Sequence, residues 1–398
     1  MARAWEIVAA AGFAAFATSA AAQLAVSAHD GKQLRPDDII EGVTPDEIEI
    51  FDLNQYPPRR LGRIEAPASM IGPPSAVAVA PDESIALVTA AQRPGADGSG
   101  SLVPADIVTV VDLADPMLPT VRQTVLAGPG ASGVAINPDQ SLALVASTED
   151  DGVTIFSIDQ GRLSNVGRVQ LPTGARPTDV RFTPDGRQAL VVRRGDHRIT
   201  VLDVVGSAVS NSGVDITPGR GPYQVAITPD GRFAITNNLG GAATRAEIDS
   251  QTADSEERPR PPGTVSVIDL HSKAVVQSIE VGATPETVTL SPDGKYLSVV
   301  VANSASVQQR APTYNDVHGL LRVYRVEGGN LRPIAVLENG HWCQGATFSN
   351  DSKTLLVQCG SERAIEVYRL DGDNVTADLR ARIETRSRGG SIATASSG

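Results

Sequence analysis

Apolar and polar positions alternate along this chain in short runs, and the runs come in a repeated order. A stretch with apolar side chains at every second position ends in Pro-Asp-Gly or a variant of it. A second apolar run follows, then a Val-rich run that closes on Asp or Asp-Leu. The copies are Ala76–Asp82, Gly133–Asp139, Asp179–Gly186, Gln224–Gly231, Thr287–Gly294 and Gly345–Asp351. Period-two alternation predicts half-buried strands, and continuous runs such as Ile85-Ala86-Leu87-Val88 and Leu355-Leu356-Val357 predict strands buried on both faces. Between them, Pro fixes φ and drops a donor, Asp bonds its own backbone, and Gly takes the positive φ of a tight turn. Third strands follow at Val108–Leu113, Val153–Phe156, Ile199–Asp203, Val265–Leu270, Leu321–Tyr324 and Ile365–Tyr368, and fourth strands at segments such as Val276–Val281. Four antiparallel strands per repeat is a propeller blade.

The turn Asp residues fall at Asp82, Asp139, Asp185, Asp230, Asp293 and Asp351, so the shortest unit is about 45 residues, a blade-sized period. Six units are complete. The chain ends supply the rest: Leu24–His29 reads as a second strand, Glu47–Leu53 as a third, Leu61–Ile64 as a fourth, and Gly389–Ala395 as a first strand with no partners of its own. The predicted fold is therefore all-β: a seven-bladed propeller whose last blade combines three N-terminal strands with one C-terminal strand. Such closure removes the exposed edges that invite aggregation.

Residues 1–22 read as a signal peptide: Arg3 gives a short basic start, an apolar run spans Ile7–Ala17, and small residues lead to a cleavage site before Gln23. Residues 23–398 are then a single propeller domain, periplasmic or secreted, with no further run long enough to span a membrane. The net charge of −12 argues against nucleic acid or anionic membranes as partners. Cys343 and Cys359 are the two cysteines. They flank the hairpin that turns at Asn350–Lys353, so antiparallel pairing sets 343 opposite 359 or 360, and in an oxidising compartment they form a disulfide. Neither a metal site nor a haem-attachment or quinone signature is recognisable, and no cofactor is identified.

The repeats Pro292–Asn303 and Pro229–Asn238, running Pro-Asp-Gly-Lys-Tyr-Leu-Ser-Val-Val-Val-Ala-Asn and Pro-Asp-Gly-Arg-Phe-Ala-Ile-Thr-Asn-Asn, resemble the YVTN-type propeller repeat and the seven-bladed lactonase-like superfamily. The resemblance covers essentially the whole mature chain. It implies the fold, and a functional range that includes lactone hydrolases, redox subunits and binding modules.

In a propeller the fourth-to-first and second-to-third connections share one face. The long intervals Gln92–Asp106, Leu239–Gly263 and Asn303–Gly319 all join second to third strands, and with the shorter Gly31–Thr44 they predict a rim on that face. His29, His197, His318 and His341 map to it, with Asp30, Asp196, Asp316 and Glu286 near them, while His271 maps to the opposite side. His341 and Glu286 are the catalytic candidates, as acid–base groups. Arg176, Arg193, Tyr223, Gln224, Asn237, Asn238, Asn303, Trp342 and Gln344 join them as candidates for a ligand funnel. An arginine, a glutamate, amides and a tyrosine around one mouth suit a small anionic or sugar-like ligand. Trp342, the only tryptophan left after signal removal, either stacks on a ligand or plugs the channel.

Three readings follow. The favoured one is a periplasmic small-ligand binding or scaffold module. The alternative is a lactonase-like hydrolase of a sugar-acid or related lactone, which requires Glu286, His341 and an arginine to converge. The third is an accessory protein of a redox pathway, with a protein partner supplying the chemistry.

Overall fold

The computed structural model describes residues 23–32, 44–70, 72–96, 101–241, 262–305, 312 and 314–395. The expected signal peptide, the 242–261 part of the longest insertion and part of the 303–319 insertion lie outside the described residues. Seven antiparallel sheets make seven blades. Blade 1 runs from Val77 to Leu126, blade 2 from Ala131 to Gln170, blade 3 from Pro177 to Ile216, and blade 4 from Pro222 to Gly282. Blade 5 runs from Pro285 to Asn339 and blade 6 from Cys343 to Glu384. Blade 7 is built in the order Arg388–Thr394, Leu24–Asp30, Glu47–Asp52 and Arg59–Glu65. Its C-terminal strand pairs Ala25 with Thr394 and Ser27 with Ile392, so the ring closes three-plus-one as the sequence predicts.

The turn chemistry explains why the repeats register. In blade 3 the Asp185 carboxylate accepts from the Arg187 N–H and the Thr183 hydroxyl, and Gly186 sits at φ +68°. Asp230 and Asp293 repeat this with Thr228 and Ser291, ahead of Gly231 and Gly294, both also at φ +68°. Where the glycine is missing, Glu83, Gln140 and Ser352 are forced into the same left-handed region, near φ +58°.

Two local departures have physical causes. The Gln92–Asp106 interval is not a plain loop. Its flanking strands extend to Pro94 and from Leu102, pairing Gln92 with Pro104 and Pro94 with Leu102, so much of the insertion is a lengthened hairpin. Blade 6 carries a fifth strand: Asn374–Ala377 pairs with the outer half of Ala364–Asp371, and Ile383–Glu384 pairs with its inner half.

The core is distributed. Among the described residues it divides into seven apolar clusters, and each cluster joins two consecutive blades. Second strands are sandwiched on both sides, which is why Leu142–Ser147 and Tyr296–Val301 are buried throughout. Polar latches cross every one of the same boundaries. The Thr89 hydroxyl donates to the Ser132 carbonyl. Thr148 donates to Pro177 at 2.8 Å, Thr178 to Tyr223 at 2.8 Å, and the Asn237 amide to Pro285 at 2.6 Å. Thr289 donates to Ala346, Gln358 to Ser391, and Ser391 to Pro74, completing the circle. Each latch is worth about 1 kcal/mol net, but a buried carbonyl left unmet costs about 1–3 kcal/mol.

Cys343 and Cys359 face each other in register and form a disulfide with Cα atoms 3.8 Å apart. The bridge is fully buried in the apolar cluster between blades 5 and 6.

Two outcomes follow. Deleting residues 388–398 exposes the edge of Leu24–Asp30 and opens two blade interfaces. The truncated protein should lose its cooperative thermal transition or elute as aggregate, and an unchanged melting curve contradicts the closure. Replacing both cysteines with alanine should cost about 3 kcal/mol in urea unfolding, from the short loop the bridge closes.

Candidate functional site

The first strands of blades 4 and 5 begin at Pro222 and Pro285, and the second strand of blade 3 ends at Arg193. These ends place Tyr223, Glu286 and Arg194 together on the long-loop face. The Arg194 guanidinium lies over the Tyr223 ring, 5.5 Å from its centroid. Glu286 is buried, and burial pushes its carboxyl up to about 7, with the Arg194 charge pulling the other way. Tyr223 is also buried. Burial raises its hydroxyl well above the ordinary range, the neighbouring Glu286 adds to the rise, and Arg194 opposes it. The group therefore combines a carboxyl poised near neutrality, a phenol that stays protonated, and a cation.

His341 anchors a second cluster one blade further on. Its Nδ1 is 2.5 Å from Glu362 Oε1, and its Nε2 is 2.7 Å from the Tyr314 carbonyl. Its backbone N–H donates to both Glu362 oxygens, at 3.0 and 2.9 Å. The Tyr314 ring stacks on the imidazole at 3.7 Å, the Tyr314 hydroxyl donates to Glu362 Oε1, and the His318 ring lies 5.4 Å away. Both ring nitrogens face acceptors, so the ring is oriented by partners on two loops. First strands Pro285–Leu290 and Cys343–Phe348 are neighbours, so the two clusters sit side by side around the channel.

The other candidates divide by what holds them. Arg193 ends the strand and Arg194 opens the turn after it, and the two take different partners. Arg193 is buried against Asp196, Asp215 and the Thr200 hydroxyl within blade 3. Arg176 pairs with Glu149 at 2.9 Å on the surface rim. Gln224 accepts from the Val288 N–H and the Thr287 hydroxyl of the next blade. Asn237 latches Pro285 while accepting from the Gln224 N–H, and Asn238 donates to Thr264 and Ser266. These amides fasten strands. Asn303, at φ +48°, donates to the His318 carbonyl and shapes the loop behind His341. Gln344 is buried. Trp342 is buried at φ +52° with the Arg388 guanidinium 5.8 Å from its ring, so it packs into the junction of blades 6 and 7.

His29 is not a rim residue. It is buried in blade 7 beside Ser27 Oγ at 2.7 Å and Glu49 at 3.4 Å, and burial depresses its pKa to about 3. His197 Nδ1 accepts from the Gly221 backbone N–H at 3.2 Å. Among the described residues no group of three or more His, Cys, Asp or Glu side chains could hold a metal ion.

A cavity of about 310 Å³ lies in the central channel, and it extends toward the other end, where the Pro-Asp-Gly turns gather. Tyr223, Glu286, His341 and Trp342, toward the long-loop end, are buried and do not line this cavity.

Arg194, Glu362 and Tyr314 were the residues hardest to single out from sequence. Arg193 ends a strand and Arg194 opens the turn, so strand alternation alone does not say where Arg194 reaches. Tyr314 and Glu362 stand on loops whose mutual approach is purely tertiary.

The carboxyl at Glu286 gives a stability test. Its folded value lies above the ordinary 4.5, so the folded state holds the proton more tightly. Its contribution is intact below about pH 4.5 and is lost as pH rises through about 7, a change on the order of 3 kcal/mol. Glu286→Gln should therefore gain stability on wild type as urea unfolding is repeated from pH 4.5 to 8. Parallel profiles contradict the buried, neutral carboxyl.

Comparison with known proteins agrees with the fold. The family described as "Lactonase, 7-bladed beta-propeller" matches residues 109–207. No curated protein matches the chain. Among solved structures, a presumed 6-phosphogluconolactonase from Bacteroides uniformis superposes with TM-score 0.69 at 15% identity, over 94% of this chain and 99% of that one. A periplasmic gluconolactonase from Pseudomonas aeruginosa gives TM-score 0.68 at 16% identity, over 94% and 98%. Hydrazine synthase from Kuenenia stuttgartiensis gives 0.60 at 19%, over 82% and 91%. In fold, the chain is a seven-bladed β-propeller, and its residues 109–207 match the lactonase propeller family.

Proposed function

We propose that the protein is an exported lactonase-like hydrolase that opens the lactone ring of a sugar acid at the long-loop mouth of the channel. The observation that carries this reading is the buried Glu286 carboxyl, poised at about 7 beside Arg194 and Tyr223. A general acid–base group works best when its pKa lies near the working pH, because it can then both take and return a proton. The solved structures named for gluconolactone hydrolysis share this fold and support the choice of substrate class. The sequence reading that favoured a non-catalytic binding module gives way to its alternative on these grounds.

The chemistry needs one water molecule. The Glu286 carboxylate accepts a proton from water as its oxygen bonds to the lactone carbonyl carbon. The negative charge that develops on the carbonyl oxygen is met by the half-buried Arg194 guanidinium, a cation already placed beside Tyr223. The tetrahedral adduct then expels the ring oxygen, which takes the proton back from Glu286, and the open hydroxy acid leaves. Tyr223, kept protonated, can donate to a substrate hydroxyl. His341, with both nitrogens committed to Glu362 and Tyr314, serves as a positioning residue that fixes the neighbouring wall.

The test is hydrolysis of δ-gluconolactone and its 6-phosphate, corrected for spontaneous ring opening. Wild-type kcat/KM should rise with pH through about 7. Glu286→Gln should lose about 100-fold or more in kcat/KM while the protein stays folded. Hydrolysis that persists undiminished in Glu286→Gln, or no hydrolysis of either lactone by wild type, overturns the reading.

A further inference from the structure

The channel cavity at the hairpin-turn end is built differently from the mouth just described. Its walls carry the apolar side chains of Val77, Val79, Ile136, Phe182, Ile227 and Leu290, with the polar Thr183, Gln224, Thr289, Ser291 and Thr394 between them. Five turn prolines, Pro81, Pro138, Pro184, Pro229 and Pro292, line its outer end. These prolines belong to the repeat, so their convergence on one rim follows from ring closure. At about 310 Å³ the cavity is at the small end of ligand pockets, which run from about 300 to 1,000 Å³.

One basic side chain lines this chamber. Arg181 is buried, and its Nη1 donates to the Val134 carbonyl at 3.1 Å. Its nearest carboxylate, Asp179, stays 4.0 Å from Nε, beyond hydrogen-bond reach. Asp179 spends its oxygens elsewhere: Oδ1 accepts from the Val180 N–H and Oδ2 from the Val225 N–H, each at 2.9 Å. Among the described residues the Arg181 Nε and Nη2 donors therefore make no hydrogen bond to protein, yet they belong to a guanidinium lining the chamber. A guanidinium with two parallel donors matches a carboxylate in shape and charge.

We propose that the hairpin-turn end of the channel is a second binding site, for a small monocarboxylate with an apolar body, its carboxylate paired to Arg181. The apolar side chains take the hydrocarbon, and the proline rim admits it without supplying competing donors, since proline has no N–H. The site is separate from the Glu286 mouth and stands whether or not that mouth hydrolyses lactones.

The test uses isothermal titration of the full protein with octanoate and with 1-octanol, which has the same chain and no charge. Octanoate should bind wild type at least tenfold tighter than octanol. Arg181→Met should weaken octanoate at least tenfold and leave octanol unchanged. Ala226→Phe, which fills the chamber from its partly exposed wall, should abolish both while the melting temperature holds. Glu286→Gln should leave octanoate affinity unchanged. Absence of octanoate binding to wild type overturns the proposal. So does equal binding of the two probes, or octanoate binding that survives Ala226→Phe or is lost in Glu286→Gln.

Discussion

Burial between blades is the constraint on which the rest of this structure depends. No blade has a core of its own. Each apolar cluster needs residues from two neighbours, as Phe51, Leu356 and Ile392 show at the last junction and Val26, Val88 and Ala393 at the first. An open row of seven sheets would leave two apolar faces bare, and only closure removes both. That is why a strand from the C-terminal end must reach back to Leu24–Asp30. The latches at each boundary obey the same logic. A hydroxyl or amide on one blade meets a carbonyl on the next, so the blades are pinned in angle as well as in contact.

The pinning positions the chemistry. Tyr223 and Glu286 occupy equivalent places on successive first strands; Thr178 holds the Tyr223 carbonyl, and Asn237 holds the Pro285 carbonyl just before Glu286. Arg194 arrives from the blade before. Three residues from three blades thus meet without any one loop carrying them, Tyr223 and Glu286 buried and Arg194 half-buried. The same closure makes the channel two-ended: a mouth dense with polar side chains at the loop end, and a chamber of mixed lining with Arg181 at the turn end.

Much of the fold was legible because its signals are local. Pro-Asp-Gly punctuation located every first hairpin, alternation located the strands, and the count of orphan strands at the ends predicted the three-plus-one closure. The cysteine register followed from the same hairpin arithmetic. The site was less legible, because function there depends on which of two adjacent side chains turns inward. Arg193 and Arg194 look equivalent in sequence, yet one braces blade 3 and the other reaches Tyr223. The amides Gln224, Asn237 and Asn238 look like ligand donors but satisfy neighbouring strands, since a buried backbone group must be met by something. Glu362 and Tyr314, the partners of His341, come from the consecutive blades 6 and 5, and only tertiary packing brings them together.

The central claim is that Glu286 holds a proton near neutral pH at a mouth that receives a sugar acid. Carbon-13 NMR of the side-chain carboxyls, with Glu286→Gln to assign the signal, measures this directly. The account predicts that Glu286 titrates near 7 and that adding gluconate, the product, shifts its midpoint. A midpoint at the ordinary 4.5, unmoved by gluconate, would contradict it.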